Sequence, residues 1–320
     1  MSKIELSTIL VAKSSGERLD VVLSRHFDDY SRSRLQSWIK SGYVFIDSVV
    51  VKSPRQKVLG GELCEIKAQL EAEISWQAED LPIEIIFEDD EILVVNKAAD
   101  TVVHPAAGNY SGTMVNALLH HCPSLESIPR AGIVHRLDKD TTGLLVVAKT
   151  LNAHAHLVEQ LKQRTVGRHY QCLVYGQMVA GGSVDQPIGR HPVNRKLMAV
   201  VRNAKPAITH YRIAKKFRDF TLLDVKLETG RTHQIRVHLS WLKNPLVGDS
   251  AYGGRLQQPR DASLELQNAL HSFTRQALHA RQLSLIHPKL CQEMTWQADL
   301  PEDFADLLST LDKDQEQNVS

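Results

Sequence analysis

The densest group of chemically useful side chains lies between Gly132 and Thr150, where the chain reads GIVHRLDKDTTGLLVVAKT. His135, Arg136, Asp138, Lys139 and Asp140 fall in a polar turn, with a strand expected to end before it and an apolar strand to begin after Gly143. A carboxylate serves as nucleophile or base only when ionised, and a cation fixed beside it keeps it so. Charged hairpin tips are common. Here, however, long apolar runs on both sides hold the loop rigidly, and rigid scaffolds with polar loops are where catalytic groups sit.

Several chemistries can be tested on the same letters. HRLDKD is shared in part with the kinase catalytic loop, but the chain lacks the Gly-rich loop, the strand lysine and the DFG segment that kinases need. Asp140-Thr-Thr-Gly143 looks like an aspartic-protease loop, yet no second such loop supplies a partner carboxylate. His154 and His156 form no metal pair, because they fall in a helical pattern where residues two apart point to different faces. Neither GxxxxGK[ST] nor GxGxxG occurs, so no nucleotide cofactor is expected, and no other cofactor or metal.

Three further clusters accompany the loop: Asn96-Lys97 at a strand end, Arg168-His169-Tyr170 opening a strand, and Thr229 to Leu239, a strand-to-helix turn holding Arg231 and Arg236. The elements that must position them begin at Ile83. Apolar runs at Ile92–Val95, Leu144–Ala148 and Leu173–Tyr175 alternate with helical patterns, and Leu223, Val225 and Leu227 alternate with Asp224, Lys226 and Glu228. The expectation is an α+β domain over residues 83–308 with a central, largely antiparallel sheet flanked by helices. Residues 76–82 read as a polar linker and 309–320 as an acidic tail into which a last helix frays. Residues 1–75 form a smaller unit with its core at about 16–67. In it Ser31 caps a helix through Arg32, Arg34, Leu35 and Trp38, and a strand pair at Tyr43–Asp47 and Val49–Lys52 follows.

The chain has 320 residues, 42% of them hydrophobic and 23% charged, which excludes disordered and fibrous classes. It contains no run of about 20 apolar residues and no signal-peptide pattern at its start, so a cytoplasmic protein without a membrane span is expected. Cys64, Cys122, Cys172 and Cys291 form no CxxC pair and read as buried small hydrophobes. The formal net charge of +1 hides opposed patches. Residues 12–57 carry nine bases and five acids, 61–91 one base and eleven acids, and 130–238 nineteen bases and seven acids. A polyanion responds to such local fields rather than to the total.

Taken together, GIVHRLDKDTTGL, RHYQCLVYG, LETGRTHQIRVHL, NPLVGDSAYGG and RQALHA resemble the RluA-type pseudouridine synthases, and GYVFIDSVVVKSPRQKVLGGE resembles the S4 RNA-binding fold. The resemblance runs from about Gly16 to about Leu308 and implies an active-site cleft across the sheet. It implies a reaction without metal or cofactor, in which Asp138 acts as nucleophile or as base toward the sugar, Arg236 keeps Asp138 ionised, and Tyr170 stacks on the turned-out base. RNA contacts are implied at Arg136, His135, Lys139, Lys97 and Arg231, and in the small domain at Arg32, Arg34, Lys52, Arg55 and Lys57. The implied targets are uridines in a hairpin loop of large-subunit (23S) ribosomal RNA, free or in pre-ribosomal particles, with a monomer as the default state. An RNA-binding assembly protein without catalysis, or a synthase acting on tRNA or other rRNA sites, are the alternatives. One departure is visible: the family's Asn-Lys-Pro is Asn96-Lys97-Ala98 here, which removes a fixed φ from that turn.

Overall fold

The computed structural model describes residues 3–27, 30, 32–69, 76–105, 110–254 and 258–317. The chain divides into two compact units, Met1–Ser75 and Trp76–Ser320.

In the first unit, β1 (Lys3–Ile9), α1 (Leu19–His26), α2 (Arg32–Lys40), β2 (Val44–Ile46), β3 (Val49–Val51) and β4 (Leu63–Gln69) build a four-stranded sheet in the order β1-β4-β2-β3. Every pairing is antiparallel. β1 lies ahead of the expected core at residue 16 and pairs with β4 over its whole length. The expected cap at Ser31 lies outside the described residues. Asp47 and Ser48 both adopt positive φ between β2 and β3, and Asp47 Oδ1 accepts from Leu63 N at 2.9 Å, which fixes the hairpin against β4. Leu19, Leu23, Leu35, Ile39, Val44 and Ile66 fill the core between helices and sheet.

Within this unit Arg32 has a structural occupation. The Asp20 side chain is fully buried and accepts hydrogen bonds from Arg18 at 2.9 Å, Arg32 at 2.8 Å and Gln36 at 2.5 Å, which ties α1 to α2. Burial works to raise the Asp20 pKa, but these donors outweigh it and bring it to about 2. A depressed carboxylate stabilises the fold above its unfolded pKa and loses that contribution as pH falls through the folded value. Asp20→Ala is therefore expected to cost the first unit about 3 kcal/mol at pH 7. The deficit should shrink below pH ~4 and vanish near pH 2, as urea melts across pH would show; a pH-independent deficit would contradict the ion-pair assignment.

The second unit is built on β5 (Glu84–Glu88), β6 (Ile92–Lys97), α3 (Met114–His121), β7 (Thr142–Ala148), α4 (Leu151–Gln163), β8 (Gly167–Tyr175), β9 (Gly182–Asp185), β10 (Ile188–Arg190), β11 (Met198–Val200), β12 (Ile208–Lys216), β13 (Phe220–Leu227), α5 (Gln234–Trp241), α6 (Leu264–Ser272), β14 (Leu278–Ile286), β15 (Glu293–Gln297) and α7 (Glu302–Gln317). Nine strands form one sheet in the order β5-β6-β7-β14-β8-β13-β12-β9, with β15 added beside β14, and β10 and β11 form a separate ribbon. The fold is α+β as expected. All pairings are antiparallel except β7 with β14, which meet at Thr142↔His279 and Ala280↔Gly143. Gly143 has φ +112°, and a Cβ there would fall 2.3 Å from Ala280 O, so only glycine permits this approach.

Three sequence expectations need correction. Residues 76–82 pack on the second unit rather than hanging free: Trp76 contacts its core, Glu79 N donates to Asn116 O, and Asn116 Nδ2 donates to Gln77 O. The acidic C-terminus does not fray at 309. α7 continues to Gln317, burying Leu307, Leu311 and Asp314, because its apolar residues keep helical spacing against α6. Of the cysteines, Cys64 and Cys172 are buried, Cys122 is half-buried and Cys291 is exposed in a turn with φ +53°. Among the described residues no helix is long and apolar enough to cross a membrane.

Candidate active site

The segment preceding Asp138 is not the expected strand. Pro129–Gly132 is a 3-10 turn in which Arg130 and Ala131 take left-handed conformations, and Ile133 makes only a single bridge to Val147. Gly132 has φ +77°, and a Cβ there would sit 2.0 Å from Ala148 O. The chain thus folds tightly against β7 and delivers residues 134–141 as a loop that leads into that strand.

That loop is pinned along its length. His135 Nε2 accepts from Val146 N at 3.1 Å. Burial, and then Arg168, bring the His135 pKa down to about 3, so the ring is neutral and fitted to accept. Lys97 at the end of β6 is 3% exposed and donates to Ala98 O, Thr101 O and Lys139 O at 2.7–2.9 Å. Burial lowers its pKa to about 8, with Asp140 and Asp138 opposing. Lys97 therefore closes the turn from which the family's proline is missing. From the far end of the chain, Arg275 donates to Asp140 O at 3.4 Å, Gln276 to Thr141 Oγ1 at 3.0 Å, and His279 Nδ1 pairs with Thr142 Oγ1 at 2.9 Å.

Asp138 emerges from this frame with its side chain 16% exposed. Its Oδ2 accepts from Arg236 Nη1 at 3.0 Å, and Oδ1 lies 3.8 Å from His233 Nε2. Arg236, in the first turn of α5, is held from behind by Asp249 through Nε at 2.7 Å and Nη2 at 2.9 Å. Burial disfavours its charge, but Asp249 and Asp138 outweigh burial and raise its pKa above the ordinary arginine value. The guanidinium also lies 5.0 Å from the Tyr252 ring centroid, and Tyr252 Oη pairs with His233 Nδ1 at 2.7 Å. Asp249 Oδ1 accepts from Ala251 N and Tyr252 N, so one carboxylate fixes both the arginine and the turn that carries the tyrosine.

A cleft of about 650 Å³ opens over these groups, lined by Asp138, Arg236 and His233 and by Arg168, Tyr170 and Arg136 among others. Tyr170 is 7% exposed on β8, and burial raises its pKa, so its hydroxyl is protonated near neutrality. Arg136 is exposed at the rim and has no hydrogen bond or ion pair among the described residues. Arg231 lines the same cleft while its Nε donates to Pro206 O at 3.1 Å. Lys139 lies outside the lining and pairs with Asp100 at 2.6 Å.

The structure thus brings Asp138, Tyr170, Arg236, Arg136, Arg231 and His135 to one cleft, while Lys97 is buried outside its lining and bonds to backbone carbonyls. In the first unit Lys52 and Arg55 are exposed, Arg32 is engaged by Asp20, and Lys57 Nζ donates to Gly16 O at 2.6 Å. Sequence reasoning missed Asp249, Tyr252, His233 and Arg168 as site groups, although each lies inside a motif it had singled out: NPLVGDSAYGG, GRTHQIR or RHY.

A carboxylate–arginine pair thus faces a cleft in the second unit, which is built on a mostly antiparallel sheet. The RNA pseudouridylate synthase family matches residues 91–241, and the S4 domain family matches residues 17–64. The chain belongs to the pseudouridine synthases, which are isomerases. It is 51% identical over 316 residues to the ribosomal large subunit pseudouridine synthase D of Vibrio vulnificus (strain CMCP6), covering 99% of this chain and 97% of that one. To the protein of the same name from Escherichia coli O6:H1 it is 49% identical over the same shares. Among solved structures, human RNA pseudouridylate synthase domain containing 4 is similar with a TM-score of 0.56 and 28% identity, covering 72% of this chain and 93% of that one.

Proposed function

We propose that the chain converts uridines of a hairpin loop in large-subunit ribosomal RNA to pseudouridine, with Asp138 as the reacting carboxylate. The observation that carries this reading is the Asp138–Arg236 pair at 3.0 Å, facing the cleft that Tyr170 also lines. The substrate class follows the name shared by relatives at about half identity along nearly the whole chain.

The target base must leave its stack, at a cost of a few kcal/mol that is lowest in loops. The N1–C1′ bond then breaks, the base turns, and C5 bonds to C1′ while the C5 proton leaves and N1 takes one up, so no atom is gained or lost overall. Asp138 attacks C1′ or removes a proton from the sugar. Arg236 holds the Asp138 carboxylate in position, Tyr170 stacks on the turned base, and Arg136 fills the gap that the base leaves. Incubating the purified protein with unmodified large-subunit rRNA and, separately, with unmodified tRNA, and mapping pseudouridine in each, tests the reading. Conversion at loop uridines is expected, and conversion confined to tRNA, or none, would overturn it.

Residues 1–75 serve as a second RNA-holding unit through Lys52 and Arg55. Since each phosphate contact steepens the salt dependence by roughly one power of salt concentration, a chain lacking this unit should bind RNA more weakly and with a flatter salt slope. Equal slopes for the whole and shortened chains would assign the unit another purpose.

A further inference from the structure

The charges in the cleft do not balance evenly. Around the reacting carboxylate, Asp138 and Asp249 share the guanidinium of Arg236. Arg168 is the reverse case. It is 7% exposed, and no carboxylate forms an ion pair with it among the described residues. Its Nη2 donates to Glu228 O at 3.2 Å, while its buried Nε has no hydrogen-bond partner. Holding a buried guanidinium without a counter-charge costs several kcal/mol, and binding an anion offsets that cost.

Its placement supports such a partner. Arg168 lies two residues before Tyr170 on β8, so the two side chains share the face that lines the cleft. Gly230 leaves room for it: a Cβ there would come within 2.6 Å of Nη1. The nearby His135 ring is neutral and offers no competing positive charge.

We propose that Arg168 receives the negative charge that uracil acquires when its glycosidic bond breaks, by donating to a carbonyl oxygen of the detached base. The inference rests on the reading of this cleft as the site of uridine isomerisation. When N1–C1′ breaks, the bonding electron pair leaves with the base, and its charge spreads from N1 onto the two carbonyl oxygens. The electron-poor C1′ is met by the Asp138 carboxylate, or the sugar loses a proton to it. Bonding of C5 to C1′ uses up that charge, and the C5 proton then leaves while N1 takes one up, so the product is a neutral isomer of uridine. Arg168 thus assists the departure of the base, and Asp138 deals with the sugar.

The test compares single-turnover conversion of large-subunit rRNA transcripts made with uridine and with 5-fluorouridine, scoring loss of the original nucleoside by digestion and mass spectrometry. Fluorine withdraws electrons and stabilises the detached base, which then needs less help from a cation. Arg168→Ala is expected to slow conversion of ordinary RNA about 100-fold, the size of losing one preorganised donor to a developing anion, and that of fluorinated RNA about tenfold or less. Arg168→Lys should fall between wild type and Arg168→Ala on ordinary RNA and show the same bias; it carries the test if the alanine variant does not fold. An equal slowing on both RNAs, or weaker RNA binding with unchanged conversion rate, would overturn the proposal and leave Arg168 a structural residue. Asp138→Ala serves as the control for the underlying reading. If that variant converts either RNA, the assignment of the cleft fails, whatever Arg168 does.

Discussion

Asp138→Ala is expected to reduce tritium release from 5-tritiated uridine in ribosomal RNA by at least about 10⁴-fold, with RNA affinity kept within about twofold. The two effects separate because Asp138 does not hold the fold. Its loop remains pinned by Lys97, His135, Arg275 and Gln276, and Arg236 keeps both bonds to Asp249. Asp138→Asn keeps the volume and an acceptor for Arg236 but loses the charge, so it should be nearly as inactive. Wild-type turnover in either variant would remove Asp138 from the chemistry. Loss of RNA affinity in step with turnover would make it a binding residue instead.

Asp249→Ala is expected to lower turnover about 100-fold or more and to destabilise the second unit by about 3 kcal/mol, although Asp249 need not touch RNA. The carboxylate is 3% exposed and accepts four hydrogen bonds, two from Arg236 and two from the turn at Ala251 and Tyr252. Without it Arg236 keeps only Asp138 as an ion-pair partner, and the turn that carries Tyr252, to which His233 bonds, loses its anchor. Asp249→Asn can keep part of this pattern and should recover part of both losses. If Asp249→Ala melts early yet turns over at the wild-type rate at low temperature, its role is structural only. A fall in turnover with unchanged KM would mark it as the residue that positions Arg236.

The parts of the molecule set by local pattern were legible in the sequence. β6, β7 and β8 appear as apolar runs because both faces are covered, and β13 shows alternation where its far side meets solvent. The HRLD loop was legible as polar residues ahead of the apolar run of β7. What local pattern did not reveal were roles set by distant partners. Arg32 reads as a basic residue on an exposed helix until Asp20, twelve positions earlier, is seen to hold it. The partners of Lys97 and His135 were equally hidden, because they are backbone groups, which carry no signature in side-chain spacing. Asp249 is thirteen residues from Arg236 across a helix end and a turn, a separation that no helical or strand period marks. The supposed strand before Asp138 failed for another reason: two consecutive left-handed residues, Arg130 and Ala131, break it, and neither is of a type that announces such a conformation.

The parallel contact of β7 with β14 also has a consequence for synthesis. The loop bearing Asp138 takes its final anchors from Arg275, Gln276 and His279, each about 135 to 137 positions further along the chain. Closing so long a loop is slow compared with forming local hairpins, and a ribosome adds only about 5–20 residues per second. A growing chain can therefore complete its first unit well before the loop bearing Asp138 is set, the interval being the time needed to make some 200 further residues.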